Sequence, residues 1–73
     1  MKEVKVSLNT IEKVKEFARL ITNYESDCDL KSGSYVIDAK SIMGIFSLDL
    51  SKELTLSIHE SNPDLTPISK FIV

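Results

Sequence analysis

Apolar side chains recur at every second position in Val4, Val6 and Leu8, and then switch to helical spacing in Ile11, Val14, Phe17, Ala18 and Ile21. A period of two puts alternate side chains on one face of a strand, whereas a period near 3.6 gathers them on one side of a helix. The switch therefore predicts a half-buried strand and then an amphipathic helix that runs to about Thr22 or Asn23, with Lys13, Lys15, Glu16 and Arg19 on its polar side. Asn9 is placed to cap that helix. Glu12, three residues on, can return a bond to the Asn9 amide, much as in a capping box.

The period of two comes back in Cys28 and Leu30, which alternate with Asp27 and Asp29. Lys31-Ser32-Gly33-Ser34 supplies turn chemistry, with Gly33 free to take a positive φ, and the β-branched and aromatic run from Tyr35 to Ile37 completes a hairpin. A short helix opens at Ser41 and ends near Leu48. Leu54, Leu56 and Ile58 then alternate with Thr55, Ser57 and His59 as a last strand. Thr66-Pro67 reads as a cap followed by proline at the first helical position, after which Ile68, Phe71 and Ile72 cover the core in one or two turns. The order β-α-β-β-α-β-α implies an α+β fold, an antiparallel or mixed sheet with helices packed on one face.

At 73 residues the chain is expected to form one domain, 1–73, around one modest core. Its formal net charge is −2, and its lysines and arginines are scattered. A nucleic-acid surface needs a basic stripe to neutralise phosphates, so nucleic acid is not expected as a direct partner, and an anionic membrane is disfavoured for the same reason. One cysteine, Cys28, cannot pair within the chain and fits a reducing cytoplasm. The amino terminus alternates charged and apolar residues and lacks the continuous apolar stretch of a signal peptide. His59 is the only histidine, and Asp27, Asp29 and Glu60 are scattered carboxylates. No metal site, cofactor or enzymatic centre is expected from them, because a metal needs several converging ligands and a catalyst needs a paired nucleophile and base.

The run Lys40-Ser41-Ile42-Met43-Gly44-Ile45-Phe46-Ser47-Leu48 holds more than one buried helix face can use. Ile45 and Leu48 suit the core. Ile42, Met43 and Phe46 point to a neighbouring face, either tucked at the core edge or exposed as a protein-docking patch. The Ser41 hydroxyl can cap the helix. It can also receive a phosphoryl group, which a helix mouth tolerates through its amides and dipole, with Lys40 beside it.

The residues Lys40 to Gly44, followed by an apolar pair and Ser-Leu, resemble the regulatory-serine helix of HPr, the phosphocarrier of the bacterial sugar phosphotransferase system. The similarity continues upstream without a gap through Val36, Leu30 and Tyr24-Glu25-Ser26-Asp27. It implies an open-faced β-sandwich with a four-stranded antiparallel sheet, helices on one face and a C-terminal helix shorter than usual. HPr proteins carry a histidine at the mouth of the first helix that accepts the phosphoryl group from Enzyme I, and an arginine that helps hold it. Counted back from Tyr24, the histidine position falls on Thr10, the arginine position on Glu12 and the family's proline position on Lys13. Thr10 cannot form a labile phosphoimidazole, and a carboxylate at Glu12 repels phosphate.

The resemblance is therefore strongest to members without the histidine, such as the catabolite-repression paralogue of HPr. It implies Ser41 as a phosphosite for HPr kinase, with Lys40, Ile42, Met43 and Phe46 as the surface that meets phosphotransferase components or a transcriptional regulator. Two other readings stand beside this one. The first is a phosphocarrier with an atypical acceptor, Thr10 or His59. The second is a degenerate domain that only folds and oligomerises through an exposed sheet edge. A monomer or a weak homodimer fits each of them.

Overall fold

A computed structural model describes residues 1–73. Strand β1 covers Lys2–Val6, helix α1 Ile11–Ile21, β2 Cys28–Ser32, β3 Tyr35–Asp38, α2 Ile42–Phe46 and β4 Leu54–Ile58, and a 3-10 helix covers Thr66–Phe71. The sheet order is β1-β4-β2-β3, and every pairing is antiparallel. Since β1 and β2 both run antiparallel to β4, they are parallel to each other with β4 between them, so β1-α1-β2 is a split β-α-β unit. By the same logic β3-α2-β4 is split around β2. The two units interleave, which places both helices over one face of the sheet.

That face is the core. Val6, Leu30, Leu54, Leu56 and Ile58 meet Val14, Phe17 and Ile21 of α1, Ile45 of α2 and Ile68 of the 3-10 helix, all with no exposed surface. Each such side chain contributes roughly 1.5–3 kcal/mol relative to an exposed one. Phe71 closes the far end, its ring set edge-on to Phe17 with centroids 5.5 Å apart.

The details depart from the sequence reading at several points. Thr10, not Asn9, is the cap of α1: its backbone is extended, at φ −135° and ψ 157°, and its Oγ1 accepts from the Lys13 amide at 3.1 Å. Asn9 instead takes the Lys13 ammonium on Oδ1, and the Asn9–Glu12 capping box does not form. Ile11, expected on the apolar stripe, is 58% exposed. The hairpin turn is only Gly33-Ser34, with Ser32 paired to Tyr35, and Gly33 takes φ 59° as the first central residue of a tight two-residue turn requires. Thr66 is the first helical residue rather than the cap, and Asp64 Oδ1 accepts its amide.

The tail is extended at its end. Ile72 bridges to Val6, the Ser7 amide donates to the Phe71 carbonyl at 2.8 Å, and the Val73 amide donates to the Lys5 carbonyl at 3.0 Å. This covers only the Lys5–Ser7 end of the outer edge of β1, and β3 forms the opposite edge of the sheet. No helix is long and apolar enough to cross a membrane.

Candidate functional site

Serine is a strong cap because its oxygen can take an amide that a helix's first turn leaves unpaired. Ser41 does so at the mouth of α2: its Oγ accepts from the Gly44 amide at 3.2 Å. Its own amide donates to the Asp38 carbonyl at 2.9 Å, and the Lys40 amide donates to Asp38 Oδ1 at 2.9 Å. Asp38, the last residue of β3, thus turns the chain into the helix. Gly44 lies against β3, where a methyl group in place of its hydrogen would stand 3.3 Å from Ser41 Oγ and 3.4 Å from Ile37 Cβ.

The five-residue helix buries Ile45 and sends Leu48 into the core behind it. Its other apolar side chains face outward, with Met43 79%, Phe46 42% and Ile42 39% exposed. The surplus read from the sequence is thus an exposed apolar patch in the residues that follow the Ser41 hydroxyl. Lys40 does not reach toward solvent. Its Nζ donates to the Tyr24 carbonyl at 2.6 Å, just past the end of α1.

The mouth of α1 is polar and exposed. Thr10, Glu12 and Lys13 lie on the surface there, and Thr10 Oγ1 serves as the cap. No imidazole stands near it. The sole histidine, His59, lies just beyond β4, and its Nε2 is 2.8 Å from Asp29 Oδ2. Asp29 projects opposite to Cys28 and Leu30, so that pair sits on the face of the sheet without helices. Ser57 shares this face, yet it is fully buried. Glu3 covers it, with Oε2 accepting both Ser57 Oγ at 2.9 Å and Lys31 Nζ at 3.0 Å. The Lys31 ammonium, first, and the Ser57 hydroxyl hold the Glu3 carboxyl below the usual carboxylate range.

Behind α1, Tyr24 joins three parts of the molecule. Its amide bonds the Ile21 carbonyl, its carbonyl takes Lys40, and its phenol donates to the Asp64 carbonyl. Burial, and then the Asp64 charge, push the phenol above its ordinary pKa. Cys28 is a free, buried thiol, pushed up by that burial. No group of three or more His, Cys, Asp or Glu side chains converges on a point where a metal could bind. The Lys40–Tyr24 and Glu3–Ser57 contacts were missed in the sequence because each joins residues far apart in the chain, and no local pattern marks them.

A model of the PTS HPr component phosphorylation site matches residues 12–72. Among solved structures, HPr-C-His from Thermoanaerobacter tengcongensis superposes with a TM-score of 0.75 at 26% identity, over 94% of this chain and 84% of that one. A phosphocarrier protein HPr from Bacillus anthracis str. Ames superposes with a TM-score of 0.71 over 94% of this chain and 87% of that one, and at 24% identity this second likeness speaks for the fold alone. No curated protein matches the sequence significantly.

Proposed function

The chain belongs to the HPr family of the phosphotransferase system, and we propose that within it this protein is a regulatory, protein-binding module rather than a phosphocarrier. Relationship to the phosphocarriers, and with it a life among protein partners, comes with the family. The observation that carries the finer reading is the contrast between the two helix mouths. At α2 a capping serine stands beside an exposed Ile42-Met43-Phe46 patch. At α1 the residue that caps the helix is a threonine, followed by Glu12.

In this reading Thr10 occupies the family's histidine position and Glu12 its arginine position. Gap-free counting from Tyr24 and the place of Thr10 as the cap at the mouth of α1 support the assignment. A hydroxyl cannot carry the labile phosphoryl–nitrogen bond that onward transfer uses, and Glu12 adds a negative charge where a cation is needed. Ser41 is then the phosphosite. Its modification adds about −1.5 to −2 charges at the edge of the apolar patch and resets which partner docks there. HPr kinase, phosphotransferase components or a transcriptional regulator are the partners this surface fits.

The test is incubation with HPr kinase and ATP, followed by mass spectrometry to locate the phosphate. Stoichiometric modification at Ser41, abolished in Ser41→Ala, is the expected result. An unmodified Ser41 overturns the switch.

A second reading has one observation in its favour: Asp29 holds the His59 ring through Nε2, and Nδ1 is the ring nitrogen left to accept a phosphoryl group. Against it stands the ring's one recorded partner, the Asp29 carboxylate, with no cation bonded to the ring to hold a phosphoryl group. Incubation with phosphoenolpyruvate and Enzyme I separates the two, since an acid-labile phosphoryl group on His59 would establish a carrier.

A further inference from the structure

The Lys40 ammonium is committed to a neutral partner. It sits 2.6 Å from the Tyr24 carbonyl, while the backbone on either side of it is fixed by Asp38. The residue next to it in the chain is Ser41, whose oxygen already faces the Gly44 amide at 3.2 Å. A phosphoryl group on that oxygen would be a near-dianion within reach of the flexible four-carbon stem of Lys40. An ammonium bonded to an anion holds roughly twice as strongly as one bonded to a neutral group. The carbonyl cannot compete for it on those terms.

What Lys40 leaves behind is a junction. Tyr24 stands three residues past the end of α1, its amide and that of Asn23 bonded to the Ile21 and Leu20 carbonyls. Its phenol holds the Asp64 carbonyl, and Asp64 Oδ1 holds the first amide of the 3-10 helix. Tyr24 is therefore one point at which the end of α1, the segment leading into α2 and the C-terminal segment are tied together, and Lys40 is the tie from the segment before α2.

We infer that Lys40 couples the two ends of this arrangement: a phosphoryl group on Ser41 draws the ammonium off the Tyr24 carbonyl and loosens the last turn of α1 and its link to the 3-10 helix. This rests on Ser41 as the phosphosite and adds a second region, remote from α2, that the modification reshapes. Lys40 is a positioning residue in this scheme. No bond is made or broken beyond the hydrogen bond it exchanges.

The experiment uses the whole 73-residue chain made by chemical synthesis, with serine or phosphoserine at position 41 and isotope labels at Lys40 and Tyr24. Nuclear magnetic resonance reads the through-bond correlation from the Lys40 ammonium to the Tyr24 carbonyl, and hydrogen exchange reads the Asn23 and Tyr24 amides. The expected result is loss of the correlation on phosphorylation and exchange several-fold faster at both amides. In Lys40→Met the two amides exchange fast from the start, and phosphoserine adds nothing further. A phosphorylated chain that keeps the Lys40–Tyr24 correlation overturns the coupling. Because synthesis installs the phosphate, a kinase that ignores Ser41 sinks the proposed phosphosite and leaves the coupling measurable. A modified Ser41 with an unmoved Tyr24 does the reverse.

Discussion

Position 44 has no room to spare. The Gly44 amide is the donor that Ser41 caps, and a Cβ there would stand 3.3 Å from the capping oxygen and 3.4 Å from Ile37 Cβ. Alanine favours a helix interior over glycine by about 0.8–1.0 kcal/mol. Here the crowding opposes that gain, and part of the crowding is the serine itself. Ser41→Ala alone is expected to cost about 1 kcal/mol in urea unfolding, through the lost cap. Gly44→Ala alone is expected to be neutral or destabilising. In the Ser41→Ala background the oxygen is gone, so Gly44→Ala should become more favourable than in the parent by an amount beyond additivity, about 0.5 kcal/mol or more, as residues in direct contact show. Strictly additive effects would mean that the glycine answers only to Ile37. The capping role of Ser41 was legible in the sequence. The reason for glycine was not, because Ile37 comes from another element.

The elements were legible wherever one residue pattern governs them. Val14, Phe17, Ala18 and Ile21 sit at helical spacing and are all buried, and Leu54, Leu56 and Ile58 alternate and are all buried. Boundaries were less so. Asn and Thr are both good caps, and only the extended backbone of Thr10 decides between Asn9 and Thr10. The tail was least legible, since Ile72 gives up the helix for a bridge to Val6 that no local signal announces. That tail is held by Phe71 against Phe17, and by an ion pair from Lys70 to Glu16 across exposed surface. The two contacts differ in worth. Phe71→Leu keeps the position apolar but loses ring contact and shape, and should cost roughly 1–2 kcal/mol, less than the roughly 3–5 kcal/mol of a truncation to alanine. Lys70→Ala should stay within about 0.5 kcal/mol, as exposed ion pairs do. Hydrogen exchange at the Ser7 and Val73 amides checks where the loss falls: Phe71→Leu should speed both, because both bonds tie the tail to the β1 segment, and Lys70→Ala should leave them protected.

At the scale of the whole molecule, acid and alkaline pH read two different sets of groups. On the open face Glu3 is held below its ordinary pKa by the Lys31 ammonium and the Ser57 hydroxyl. Asp49 is lowered by the Ser51 hydroxyl and Asp64 by the Thr66 amide. A lowered carboxylate means that the unfolded chain takes up protons first as pH falls. The stability these groups supply is therefore present above the ordinary carboxylate range near pH ~4 and lost as pH drops toward their folded values. On the helix side Cys28 is raised by burial, and Tyr24 by burial and then by Asp64. There the unfolded chain gives up protons first as pH rises. Stability is whole below about pH 8.5 for the thiol and about pH 10 for the phenol, and declines from those points toward the folded values. The urea midpoint should thus form a plateau from about pH 5 to about pH 8, with a shoulder of decline beginning at the thiol. Cys28→Ala isolates that shoulder. It should lower the midpoint at neutral pH, by an amount equivalent to roughly 1–2 kcal/mol, because a large buried atom is lost. It should also hold flat from about pH 8 to about pH 9.5, where the parent falls, since no thiol remains to ionise on unfolding. If the variant falls along the same slope as the parent, the alkaline limb belongs to another group, and the burial of Cys28 among Leu30, Ala39 and the rest of the core is not what sets it.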